Sequence, residues 1–264
     1  MKYDQRSIWQ VTYNRVNPQQ NDNNQQTNQW SKPIYTNLSQ WSCCRSKSLL
    51  YGLIIGGLIV GVAFATILTL YLRESALFNI DLVTNGNGEI GNCSSSNASV
   101  SPMGWNVNGP ITQIYYNNTS FPDQNFVTIG PNDRGECYFM GHDSASTSMW
   151  QIVNLTNQID PVLIDSFTVR FNLSAWLGGI TVQNDSVVIM LTFSDGNNLM
   201  VGNNTYIGPV LATDRANRSL LVARQATGLV PVHARSVTIL VTITRFTGTA
   251  NNGDVDDIGF YLYQ

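Results

Sequence analysis

The hydropathy pattern is interrupted by one long uncharged stretch. Between Lys47 and Arg73 no position is charged, and residues 49–72 read LLYGLIIGGLIVGVAFATILTLYL. At about 1.5 Å per residue, such a length spans the roughly 30 Å hydrocarbon core of a bilayer, where only a helix satisfies its own backbone groups. The stretch begins too late and runs too long for a cleaved leader. It predicts one transmembrane helix over 49–72.

On either side the pattern changes. Residues 17–29 read NPQQNDNNQQTNQ and offer nothing to a core, which predicts a disordered, Asn/Gln-rich tail over 1–48. Residues 82–101, LVTNGNGEIGNCSSSNASVS, carry few apolar side chains and predict a flexible stalk over 73–101. Beyond them a period of two sets in. Phe167 to Leu173 and Val237 to Thr244 alternate apolar with polar, and Val187 to Phe193 is a β-branched run. Ser219 to Arg224 and Ile258 to Leu262 read as further strands, with turns expected at Gly178-Gly179, Asp195–Asn198, Gly208-Pro209 and Asn251–Gly253. Short strands separated by turn residues, without a helical period, predict an all-β sandwich over 102–264.

Charge gives the helix a direction. The tail holds six basic residues against two acidic ones, and Arg45 and Lys47 stand at the helix entry. Cytoplasmic flanks collect Lys and Arg, so the N-terminus is expected in the cytoplasm and the C-terminal part outside or in a lumen, at the plasma membrane or a membrane of the secretory pathway. This is the type II, signal-anchor arrangement. The distal part has eight arginines against fifteen acidic residues, a net charge of −7, which argues against nucleic acid or anionic lipid as a partner.

Cysteines and sequons fit that topology. Cys43 and Cys44, beside the helix entry, are candidates for palmitoylation, with two free thiols as the alternative. Cys93 and Cys137 are the only outer cysteines, and an oxidising lumen favours their pairing within or between chains. Asn-x-Ser/Thr occurs outside at Asn92, Asn97, Asn117, Asn118, Asn154, Asn172, Asn184, Asn203 and Asn217, and in the tail at Asn37. Within the helix, Gly52 with Gly56 and Gly57 with Gly61 lie four apart, a spacing that lets two helices approach closely as a homodimer.

Catalytic patterns are sparse. The two histidines, His142 and His233, are ninety-one positions apart and are expected at the surface, with no nucleophile or paired acids around them. Asp254-Val255-Asp256 matches the aspartate-x-aspartate pattern of many glycosyltransferases, but no α/β nucleotide-binding unit surrounds it. No enzyme is expected.

Several segments, in order, carry a family likeness: FNLSAWLGG at 171–179, QNDSV at 183–187, IGPVLATDR at 207–215, GLVPVHARSVTILVTITRFTG at 228–248 and NNGDVDDIGFYL at 251–262. Together they resemble galactose-binding-like jelly-roll modules related to carbohydrate-binding modules. Family members usually close on a glycine-tyrosine-alanine-aspartate-asparagine segment, from which Gly253–Ile258 departs while keeping acidic residues. The resemblance implies a jelly roll, a role in recognising a glycan or cell-surface partner, and a structural calcium held by Asp256 or Asp257. Glycan binding needs an aromatic ring with polar companions, for which Trp176 with Gln183, Asp185 and Arg215 are the candidates. Three alternatives stay open: a trimeric ligand of the tumour-necrosis-factor type, a stalked coat protein without a specific ligand, and a Golgi glycosyltransferase.

Overall fold

The computed structural model describes residues 42–264, without the side chains of 42–46 and 72–77. The tail expectations for residues 1–41, including Asn37, lie outside the described residues, as do the side chains of Cys43 and Cys44. Ser42–Leu77 is one helix, α1, and its stretch Lys47–Tyr71 is long and apolar enough to cross a membrane. Two of its hydroxyls bond back within the helix: Thr66 donates to the Val62 carbonyl and Thr69 to that of Ala65. Nothing stands within 4 Å of a β-carbon built on Gly52, Gly56, Gly57 or Gly61.

Ten strands follow: β1 (Asn106–Asn108), β2 (Thr112–Tyr115), β3 (Cys137–His142), β4 (Ser146–Asn154), β5 (Arg170–Gly179), β6 (Ser186–Ser194), β7 (Thr205–Ile207), β8 (Leu220–Leu229), β9 (Ser236–Thr244) and β10 (Asn251–Tyr263). They form two antiparallel five-stranded sheets, ordered β2-β3-β10-β5-β8 and β1-β4-β9-β6-β7. This is the expected β-sandwich. The period of two places every second side chain inside: Val237, Ile239, Val241 and Ile243 of β9 are fully buried, and the residues between them are not. Phe171, Phe193 and Phe260 meet across the two sheets with ring centroids 5.3–6.5 Å apart, which fixes the core at one end.

Two expected turns are strand instead. Gly178-Gly179 closes β5, and Asn251-Asn252-Gly253 opens β10. The second is held by side chains: Asp185 accepts from the Asn252 amide at 3.0 Å, and Asn251 donates to the Ile243 carbonyl.

The expectation of a flexible stalk is also corrected for residues 79–101. The chain joins the sandwich at Asn79, whose amide donates to the Leu262 carbonyl, and the Leu82 amide donates to Phe260. Val83 enters the core. Asn85 is buried and gathers its surroundings, accepting from the Ile90 amide and donating to the Met103 carbonyl and to Gln113, while Trp105 donates to the Asn85 carbonyl. A β-carbon on Gly86 would run into the Ile258 carbonyl, so the segment seats against β10 only with glycine there. Cys93 and Cys137 form a disulfide that fastens the segment to β3. A low share of apolar side chains misled the sequence reading, because this segment is held by amide hydrogen bonds more than by hydrophobic burial.

Candidate functional site

The outer face of the β2-β3-β10-β5-β8 sheet is half covered and half open. Antiparallel register places Ala223, Trp176 and Asp256 in one row across β8, β5 and β10, followed by Gln225, Ser174 and Gly259, then Thr227, Asn172 and Tyr261. The 116–136 loop covers the β3 side, where Tyr116, Tyr138, Ile114 and Met140 form a small separate apolar cluster. Its docking is polar. Tyr116 donates to Asp256 Oδ2 at 2.6 Å, Gln124 donates to Asp254 Oδ2 at 2.7 Å, and the Arg134 guanidinium lies 5.2 Å from the Tyr116 ring.

The β5–β8 side stays open as a cleft of about 330 Å³, lined by Ser174, Ala175, Trp176, Ala223, Arg224, Gln225 and Asp257. Its floor is low because Ser174 and Gly259 stand in the middle row. Gly259 lies flat, and a β-carbon there would come 2.7 Å from the Tyr261 ring and 3.3 Å from Ser174 Oγ. A bulge in β10 after Asp256 turns Asp257 outward with φ of 51°, beside the Trp176 row. Burial, then the charges of Asp133 and Asp81, push the Asp257 carboxyl above its ordinary range. The cleft thus combines an indole, an amide, a hydroxyl, a guanidinium and a carboxyl group. Such a set suits a ligand with apolar ring faces and many hydroxyls.

The structure separates Trp176 from its expected companions. Arg215 is fully buried and donates to the carbonyls of Gly179, Thr181, Gln183 and Arg218. Asp185, also fully buried, accepts from the amides of Phe246, Thr247 and Asn252. Gln183 accepts from the Asn252 side chain at 2.6 Å. These three residues knit together the loops at the end of β5, and none lines the cleft. Gln225 and Ser174 take their place, and only the β5–β8 register reveals them.

Asp256 is not free to hold a calcium ion. Hard cations need six to eight oxygens. Both Asp256 oxygens already accept from protein donors, Tyr116 and the Asp257 amide. Among the described residues no three His, Cys, Asp or Glu side chains gather as a metal set.

The histidines and sequons differ in placement. His233 is exposed, but His142 is buried beside Phe121 with Nε2 2.9 Å from the Asn97 carbonyl, which corrects the expectation of a surface residue. Asn118 is buried and donates to the Ser94 and Ser96 carbonyls, so its side chain is not presented for glycosylation in the fold. Asn172 is half-buried on the outer face of β5, and the other seven outer sequons have exposed asparagines.

No protein-family model matches the chain, and no curated protein matches it. Among solved structures it is similar to the enzymatically active domain of tailspike protein 4 of bacteriophage CBA120, with TM-score 0.43 and 15% identity over 70% of this chain and 22% of that one. It is also similar to a family 61 carbohydrate-binding module solved with β-1,4-galactotriose, with TM-score 0.40 and 17% identity over 70% of this chain and 99% of that one. A family 22 xylan-binding domain from Paenibacillus barcinonensis has TM-score 0.34 and 12% identity over 63% of this chain and 90% of that one. The chain spans about a fifth of the tailspike chain's length.

Proposed function

We propose that this protein is a non-catalytic, single-pass membrane glycoprotein whose β-sandwich binds a neutral oligosaccharide in the cleft beside Trp176. One observation carries the reading: Trp176 stands partly exposed on the open sheet face instead of filling the core. Its indole can cover the apolar face of a sugar ring while Gln225, Ser174 and Asp257 bond the hydroxyls. The cleft volume lies in the usual range for small-ligand sites. Asp257 and Arg224 line the cleft together with no excess of either charge, and the distal net charge of −7 disfavours an anionic glycan.

In this reading α1 is the anchor, Arg45 and Lys47 hold its entry in the cytoplasm, and exposed sequons such as Asn92 and Asn97 carry glycans. Binding of the detergent-solubilised full chain to a glycan array tests the proposal, with Trp176→Ala as control. Retention of neutral oligosaccharides by the wild type and loss in the variant supports it. Equal retention by both, or none by either, overturns it.

A further inference from the structure

The second sheet has an outer face that its alternation does not explain. An antiparallel sheet with one face on the core normally turns polar side chains outward. Here Trp150, Leu240, Met190 and Tyr206 stand directly opposite one another across β4, β9, β6 and β7. All four are at least partly exposed, Tyr206 to 54%, while their sequence neighbours Ile189, Leu191, Ile239 and Val241 fill the core on the other side. Ile152, 65% exposed, and Val188 extend this apolar band. The rows beside it are hydroxylated, as with Thr238 and Thr242. No outward position of β4, β6 or β9 is charged. Among the described residues no other strand or helix is laid across this face.

We infer that this face is a homodimer interface, occupied by the same face of a second copy. Charge selects that occupant. A domain with fourteen acidic and seven basic groups repels its own copy over most of its surface, and an uncharged face lets two copies meet without opposing like charges. The pattern is also self-complementary. A two-fold axis near Leu240 and Met190 lays apolar band on apolar band and threonine on threonine. The size suffices as well. The nine-residue strands β4, β9 and β6 run about 30 Å and span about 14 Å, and the three-residue β7 adds a short edge, on the order of 450–500 Å² in projection. With side-chain relief this approaches the roughly 800 Å² per partner of a standard interface. Sheets stacked face to face interdigitate at about 10 Å.

The test is the protein mass of the full chain in detergent, by light scattering or sedimentation, in a Cys43→Ser, Cys44→Ser background that removes tail disulfides. The wild type and Thr227→Glu, on the opposite sheet, are expected at dimer mass. Met190→Glu and Thr242→Glu are expected at half that mass with unchanged circular dichroism. Thr242 is a surface position, so its variant remains informative if Met190→Glu fails to fold. A monomeric wild type overturns the inference. So does a dimer that survives Thr242→Glu and any folded Met190→Glu, which would place association in the helix. A monomer that loses sugar binding on Thr242→Glu would make the face a glycan surface instead, and also overturns it.

Discussion

The Tyr116 hydroxyl donates a 2.6 Å hydrogen bond to Asp256 Oδ2, joining the 116–136 loop to the middle of β10. Asp256 is fully buried, and so are Asp254 and nearly all of Asp123 on the same covered half of the sheet. Burial is the main cause that raises all three carboxyls, to about 8 for Asp256 and about 7 for Asp123. Arg215 is the cation facing Asp254, Asp123 and Asp185.

Stability should therefore fall as pH rises from about 5 to 8.5. Unfolded aspartates titrate near 3.9, so between roughly pH 4 and 8 the folded state holds protons that the unfolded state has released. Raising the pH removes that advantage. Thermal melts should show a lower midpoint at pH 8.5 than at pH 5 by at least about 2–4 °C, equivalent to roughly 1 kcal/mol for a chain of this size. Asp256→Asn should flatten the slope. A midpoint that rises with pH would contradict this account.

The segment from Asn79 to Ser101 belongs to the fold, and truncations can show it. A chain beginning at residue 79 should melt cooperatively, whereas one beginning at residue 102 loses Val83, Asn85 and the Cys93 cross-link and should remain unfolded by near-ultraviolet circular dichroism. Gly86→Ala, with its β-carbon against the Ile258 carbonyl, should cost about 1–3 kcal/mol in denaturant titrations. Cooperative melting of the shorter chain would restore the stalk reading.

Cys93 and Cys137 close a loop of 44 residues' separation. Cys93→Ser should lower unfolding free energy by about 2–4 kcal/mol, read as a reduced urea midpoint. An unchanged midpoint would mean that the Asn85 hydrogen bonds hold the segment by themselves.

The alternation of β9 and of the first half of β5 made the sandwich legible, because burial on one face writes a period of two directly into the sequence. Glycine and asparagine at 178–179 and 251–253 misled, since they mark close backbone approach and side-chain capture as readily as turns. Trp176 was legible as a candidate from its residue type and strand position. Its partners were not. Gln225 and Ser174 become neighbours only through the β5–β8 register, and local sequence does not encode cross-strand pairing. Arg215 and Asp185 looked like ligand groups because charge suggests exposure, yet both are buried and bonded to loop backbone.

The Trp176 cleft is tested most directly by calorimetric titration of the best neutral oligosaccharide into the wild type and Trp176→Ala, with melting curves as a check on folding. Loss of a central aromatic contact costs about 2 kcal/mol, so the variant should bind at least tenfold more weakly at an unchanged melting temperature. Equal affinity in a folded variant would contradict the assignment.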